Sequence, residues 1–266
     1  MALPLLTRAQ GSHIRELLHE RRVRAAEGAF VVEGAHAVRD LLTRYPEQVL
    51  MVVTAQGYLT KEGETDRLAG LPASAQQYSC PHFQFSKLSD LEAPQGILAV
   101  VRQPTWDEAA ILRQPKVLGI FGEQLQDPAN VGAIIRTAAG LNVSALWLTP
   151  ESADIYHPKV VRSTSGALLA LPIFFAKDVS GLLQQGCQIF TAEAGGGETI
   201  PIDKIRQAPQ KLVFAVGNES RGLSAQIRTQ ATTRFTIPLS RDEESLNVAA
   251  TVAIATFYFS RLPKGE

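Results

Sequence analysis

The chain has 266 residues, 45% hydrophobic and 20% charged, an ordinary globular balance that excludes intrinsic disorder. Lys and Arg number 26, as do Asp and Glu, and the resulting net charge of zero excludes a surface that clings to nucleic acid all over. The two cysteines, Cys80 and Cys187, lie far apart without Cys-x-x-Cys spacing, which excludes a disulfide framework and a cysteine-based zinc site and fits a reducing cytoplasm.

Residues 1–10 lack the basic segment, apolar run and small-residue cleavage site of a signal peptide, so a cytoplasmic location is expected. Positive charge then crowds the first segment, in Arg8, Arg15, Arg21, Arg22 and Arg24 with His13 and His19. Because Glu16, Glu20 and Glu27 lie among them, two readings stand: a solvated helix face, or a set of RNA-phosphate contacts. Residues 30–33 read as a short apolar strand, and Gly34 opens a helix through Leu41 and Leu42. Further strands are expected at 48–54, 76–79 and 96–101, the last after the breaker Pro94-Gln95-Gly96. These pieces make a small α/β domain over residues 1–103. A Pro-punctuated linker follows over 104–115, with a helical turn at 106–112.

From Lys116 to the end the alternation restarts. Strands are expected at 117–121, 145–148, 188–192, 211–216 and 234–238, with helices at 130–140 and 159–171. Strands alternating with helices imply an α/β fold whose sheet is mainly parallel, with ligands taken in the loops beyond the carboxyl ends of its strands. The last helix, expected over 245–261, is apolar almost all round, and such a helix must be covered all round. It is too short for the about 20 residues of a bilayer span and is broken by Thr251 and Thr256, so no membrane partner is expected.

Three segments carry candidate chemistry. In Gln126-Asp127-Pro128-Ala129-Asn130-Val131-Gly132-Ala133-Ile134-Ile135-Arg136, Asn130 reads as a good helix N-cap and Asp127 suits the positive helix start, whereas Arg136 lies past any capping position. In Val216-Gly217-Asn218-Glu219-Ser220-Arg221-Gly222-Leu223-Ser224, a strand enters a turn whose glycines supply positive φ or let bare backbone approach a ligand. In Ile237-Pro238-Leu239 and Ser245-Leu246-Asn247, Ser245 reads as the cap of the last helix. Asn247 reads as a polar group inside that helix that needs a partner, since burying an unpaired amide costs roughly 1–3 kcal/mol. Gly195-Gly196-Gly197 reads as a ligand loop or as plain flexible loop.

Taken together and in this order, the three segments resemble the motifs of SpoU-type methyltransferases in the SPOUT superfamily, over about Lys116 to the end. Phe30-Val31-Val32-Glu33-Gly34 and Gly96-Ile97-Leu98-Ala99-Val100-Val101 resemble the ribosomal-protein-like substrate-binding domain that precedes some of them. The resemblance implies a C-terminal trefoil knot, a homodimer that covers the last helix, and S-adenosylmethionine as methyl donor. It implies RNA as substrate, ribosomal RNA ahead of transfer RNA, with methylation at a ribose 2′-hydroxyl. It places the catalytic set on Asn130, Arg136, Glu219, Ser245 and Asn247. It places cofactor contacts on Gly217, Ile237 and Leu246, with Thr191 and Asn218 nearby. Arg162 joins the N-terminal arginines as a candidate RNA contact. One stretch departs from the family: Ser240-Arg241-Asp242-Glu243-Glu244 stands where glycine is usual.

A ribose hydroxyl is a poor nucleophile until its proton is polarised. Arg136 is an awkward base, because guanidinium has a pKa above about 12. Ser245 and an RNA phosphate are therefore expected to share the proton, with Arg136 fixing phosphate and sugar. A catalytically silent RNA-binding relative would have lost Arg136 or Asn130, and both are present. A nicotinamide enzyme would carry Gly-x-Gly-x-x-Gly after its first strand, where this chain has Phe121-Gly122-Glu123-Gln124.

Overall fold

A computed structural model describes residues 3–58, 71–164, 166–195, 198–240 and 245–265. Its contacts divide the chain into two units, Met1–Thr105 with Asp154–Leu169, and Trp106–Ala153 with Ala170–Glu266. The expected division at 103–116 kept 154–169 with the second domain; the structure packs that stretch into the first.

In the first unit α1 (Arg8–His19) starts at Thr7, whose hydroxyl accepts from Gln10 N at 3.3 Å while the Gln10 side chain accepts from Thr7 N at 2.9 Å. α2 (Arg21–Glu27), β1 (Ala29–Glu33), α3 (Ala35–Arg44), β2 (Val49–Ala55), β3 (Gln76–Cys80), α4 (His82–Leu88) and β4 (Ile97–Arg102) follow. The sheet runs β1-β4-β2-β3, with β4 antiparallel to both neighbours and β2 parallel to β3. Ile14, Leu17 and Leu18 of α1 and Phe85 and Leu88 of α4 pack with Val53, Leu98 and Val100 of the sheet.

The late stretch contributes α7 (Pro158–Thr164), which stops well short of the expected 171, with the buried Thr164 hydroxyl turned back onto the Val161 carbonyl at 2.8 Å. Tyr156 lays its ring against Phe30, centroids 4.9 Å apart. Burial, and to a lesser degree the neighbouring Asp154 carboxylate, push the Tyr156 phenol well above its ordinary range.

The second unit contains α5 (Glu108–Leu112), β5 (Val117–Gly122), α6 (Pro128–Gly140), β6 (Ala145–Leu148), β7 (Ile173–Phe175), α8 (Ser180–Gln184), β8 (Gln188–Ala192), β9 (Ile200–Pro201), β10 (Lys211–Val216), α9 (Ala225–Thr229), β11 (Thr233–Thr236) and α10 (Val248–Arg261). The seven strands are ordered β7-β6-β5-β10-β8-β11-β9 and every neighbouring pair is parallel. As expected for a sheet covered on both faces, β5, β6 and β10 are almost wholly buried.

α10 buries Val248, Val252, Ala255, Thr256 and Phe259. The Phe259 ring meets Phe190, Phe214 and Phe235 at 5.8, 5.8 and 5.2 Å between centroids, fastening the helix over β8, β10 and β11. Its other side is not covered by the described residues: Ile254 is 41% and Phe257 55% exposed. Among the described residues no helix is long and apolar enough to cross a membrane.

Candidate cofactor and catalytic site

α6 is capped by Asp127, whose Oδ1 accepts from Ala129 N at 2.9 Å, with Pro128 pre-set at the first helical position. The cap expected at Asn130 is thereby corrected. With Asp127 capping the helix through the Ala129 N–H, the Asn130 side chain is not needed as the cap; it turns inward and is buried. Its Nδ2 donates to Glu219 Oε1 at 3.0 Å, and its Oδ1 accepts from Asn247 Nδ2 at 3.0 Å. Glu219 Oε1 also accepts from the Asp127 backbone N–H at 3.4 Å.

A second correction concerns α10. Its cap is Asn247, not Ser245: the Asn247 Oδ1 accepts from the N–H groups of Ala249 (2.9 Å) and Ala250 (3.4 Å). Asn247 thus lies at the helix mouth and not inside it, and both ends of its amide are engaged. Ser245 is exposed and carries no side-chain hydrogen bond to a described residue.

The turn after β10 is held by its own second residue. Asn218 Oδ1 accepts from Ser220 N at 3.0 Å and Arg221 N at 3.1 Å, while Nδ2 donates to the Gln124 carbonyl at 2.9 Å. Asn218 and Gly222 exchange both backbone hydrogen bonds, at 3.2 and 2.9 Å. Gly222 adopts a left-handed φ of 67°. Gly217 does not, contrary to expectation, and is required for a different reason. A Cβ there would stand 2.2 Å from the Gly222 carbonyl carbon and 2.3 Å from Leu223 N, inside the turn's own backbone.

At the carboxyl ends of β8, β10 and β11 these loops frame an open cleft of about 680 Å³. Gly217, Asn218, Glu219, Ile237, Ser245, Leu246 and Asn247 line it, so seven of the ten expected catalytic and cofactor residues converge there. Asn130 stands behind the lining, bonded to Glu219 and Asn247. Thr191 is fully buried and, among the described residues, reaches the cleft through Glu193, to which its hydroxyl donates at 2.9 Å. Arg136 lies on the exposed side of α6, outside the lining, and forms no ion pair with a described residue. Glu193 and Arg228 line the cleft as well; Glu193 opens the loop beyond the strand expected at 188–192, a place where ligands were expected, but was not singled out as a residue, and Arg228 carried no signal. Of the loop departure and the triple glycine, Ser240 and Gly195 are described, Gly195 in the cleft lining, while residues 241–244 and 196–197 lie outside the described residues.

The expected RNA contacts separate into two kinds. Arg8, Arg15, Arg21 and Arg22 are exposed, Arg22 in an ion pair with Glu20 at 3.1 Å. Arg162 pairs with Asp90 at 3.2 Å. Arg24 is a correction: it is 3% exposed and donates to the carbonyls of Leu17 (2.7 Å) and Leu18 (3.0 Å) and to Asp154 Oδ2 (3.1 Å), leaving nothing for a phosphate. Among the described residues no cluster of His, Cys, Asp and Glu could hold a metal ion. Burial pushes the Cys80 thiol up to about 11 and raises that of Cys187, which leaves both as poor nucleophiles.

Residues 118–257 match the model of the SpoU rRNA Methylase family, and residues 13–99 match that of the MRM3-like substrate binding domain. The chain belongs to the SpoU rRNA methylase family. It is an RNA methyltransferase, of the kind that draws on S-adenosylmethionine. An uncharacterised tRNA/rRNA methyltransferase of Synechocystis is 31% identical over 260 residues, 95% of this chain and 92% of that protein. The 23S rRNA guanosine 2′-O-methyltransferase RlmP of Bacillus subtilis is 29% identical over 244 residues, 91% of this chain and 92% of that one. The solved SpoU methyltransferase AviRb of Streptomyces viridochromogenes, in complex with AdoMet, shares the fold with a TM-score of 0.83 at 24% identity, over 96% of this chain and 98% of that chain.

Proposed function

We propose that this SpoU-family enzyme transfers the methyl group of S-adenosylmethionine to a ribose 2′-hydroxyl of ribosomal RNA, as a cytoplasmic homodimer. The observation that carries the reading is the amide relay Glu219–Asn130–Asn247, which ties all three motif segments to one cleft. The cleft's size lies within the range of ligand sites, roughly 300–1,000 Å³. Outside the sheet ladders, no backbone hydrogen bond engages Gly217, Ile237 or Leu246 among the described residues, so their N–H and C=O groups are open to the donors and acceptors of an adenine ring.

Bound there, S-adenosylmethionine supplies an electrophilic methyl on a sulfonium sulfur; orienting the acceptor is the work of the chain. Gly217, Ile237 and Leu246 hold the cofactor through backbone groups, and Asn218 keeps the turn in shape. Asn130 and Glu219 fix the position of the ribose, and Asn247 holds the covering loop. The Ser245 hydroxyl relays the 2′-hydroxyl proton to an RNA phosphate, giving up its own proton as it accepts that one, and Arg136 grips that phosphate with its permanently charged guanidinium. Alignment of oxygen and methyl supplies the largest part of the rate.

The remaining parts rest on particular features. The exposed pair Ile254 and Phe257 on α10 supports a second copy as the cover of that helix. The trefoil knot is supported by the strand order, in which the late β10 returns between β5 and β8. The substrate-binding domain and its exposed arginines support RNA capture by the first unit. The relatives' names support ribosomal RNA. Calorimetry should detect binding of S-adenosylmethionine and S-adenosylhomocysteine but not NAD, and ribosomal RNA from cells lacking the gene should miss one 2′-O-methyl group. Binding of NAD without the methyl donor would overturn the reading.

A further inference from the structure

Glu193 is the first residue beyond β8, and its N–H donates to the Phe235 carbonyl at 2.9 Å, which fixes its backbone at the mouth of the sheet. Its side chain is only 14% exposed, yet it lines the cleft. Oε1 accepts from the Thr191 hydroxyl at 2.9 Å. Arg228 Nε stands 3.9 Å from Oε2 and Arg234 Nε 3.9 Å from Oε1, too far for hydrogen bonds but close enough to neutralise the carboxylate. Oε2 therefore has charge compensation and no hydrogen-bond donor among the described residues. The cleft's other described acid, Glu219, is engaged by Asn130 and Asp127.

We propose that Glu193 reads the ribose of the bound S-adenosylmethionine, accepting its hydroxyl groups on the carboxylate. This rests on the cofactor reading above. A carboxylate already flanked by two guanidinium groups has little need of another cation, so the sulfonium and the ammonium of the cofactor are poor partners for it. Neutral donors suit it best, and the cofactor's neutral donors are the ribose hydroxyls and the adenine amine. The open backbone groups of Gly217, Ile237 and Leu246 suit the ring, which leaves the vicinal hydroxyls, spaced to meet one carboxylate together. An acid at the end of a parallel strand grips nucleotide ribose in the same way in dinucleotide-binding sheets. Thr191 is then a positioning residue: buried beneath the cleft, it holds Oε1 and so aims the other oxygen.

Calorimetric titration with S-adenosylhomocysteine tests this, on the wild-type protein and on Glu193→Gln, with Thr191→Val as a milder second variant. Hydrogen bonds to a charged acceptor are strong enough that Glu193→Gln should weaken binding by about tenfold or more. The 2′,3′-dideoxy analogue of S-adenosylhomocysteine should bind wild type about tenfold more weakly than the parent, while Glu193→Gln should barely distinguish the two. Thr191→Val should show the same pattern with a smaller loss. Three results overturn the proposal: unchanged affinity in Glu193→Gln, a larger loss for S-adenosylmethionine than for S-adenosylhomocysteine, or unaltered binding of 5′-methylthioadenosine, which keeps the ribose but lacks the amino acid. A wild-type protein that binds none of these ligands would sink the cofactor reading itself and is thereby distinguished from failure at Glu193.

Discussion

Asn247 donates from Nδ2 to Asn130 Oδ1 at 3.0 Å, joining two helix starts that lie 117 positions apart in the chain. Asn130 then donates to Glu219, so one buried amide is acceptor to one loop and donor to another. A carboxamide can do both, and a carboxylate cannot. Asn130→Asp keeps the shape but sets a second carboxylate 3.0 Å from Glu219 Oε1. One of the pair must then have its pKa raised in the folded state. The folded protein binds the extra proton and the unfolded chain does not, so the variant's stability is present in acid and lost as pH rises. Its deficit against wild type should reach about 1–3 kcal/mol at neutral pH and shrink as pH falls through about 5. Urea melts across that range measure it, and a deficit independent of pH would count against the contact.

Arg136 is exposed and ion-paired with no described residue, so the fold does not depend on it. Arg136→Ala should melt at the wild-type temperature and bind S-adenosylhomocysteine normally. Its single-turnover methyl transfer should fall by about 100-fold or more, the scale of a group that assists proton transfer. Near-normal turnover would remove Arg136 from the mechanism.

Gly217 and Gly140 offer a matched pair. At Gly217 a methyl group collides with the backbone of Gly222 and Leu223, while at Gly140 it meets nothing within 4 Å. Gly217→Ala should lose about 1–3 kcal/mol of stability through the forced backbone shift, and S-adenosylhomocysteine binding with it. Gly140→Ala, at the exposed end of α6, should leave both intact. Equal behaviour of the two variants would contradict the close approach in the turn.

The N-terminal arginines divide by burial. Replacing Arg8 and Arg15, both exposed, by glutamine should lower the salt slope of RNA binding by about one per residue and leave stability unchanged. Arg24→Gln should instead cost about 3–5 kcal/mol, because it strands the nearly buried Asp154 carboxylate. An unchanged slope in the Arg8 and Arg15 double variant would return them to a solvated helix face.

The parallel sheet was legible because buried strands such as Val117–Gly122 and Lys211–Val216 are continuous apolar runs. β7 and β9, three and two residues long, are too short to leave a pattern. The motif residues were legible as a set, but their local duties were not. Asp127 and Asn130 are both good caps by type, as are Ser245 and Asn247. In the first pair the distant Glu219 and Asn247 claim Asn130 and leave the cap to Asp127; in the second, Asn247 both caps its helix and reaches the distant Asn130, while Ser245 does neither. Arg24 looked like its neighbours because composition carries no record of which face of a short helix is buried. Glu193 was legible only by place, as the first residue beyond a parallel strand; the arginines that flank its carboxylate, Arg228 and Arg234, come from α9 and β11 far along the chain.

Asp154–Leu169 lies between β6 and β7 of the second unit yet packs into the first. On the ribosome, residues 1–105 emerge well before the partners that finish their core exist: Asp154, which neutralises Arg24, and Tyr156, which covers Phe30. Vectorial synthesis ordinarily lets the leading domain fold by itself. Here that order is denied. The leading unit can complete its core only after β5, α6 and β6 have been made, and until residue 154 is synthesised Arg24 lacks the carboxylate that it pairs with in the finished fold.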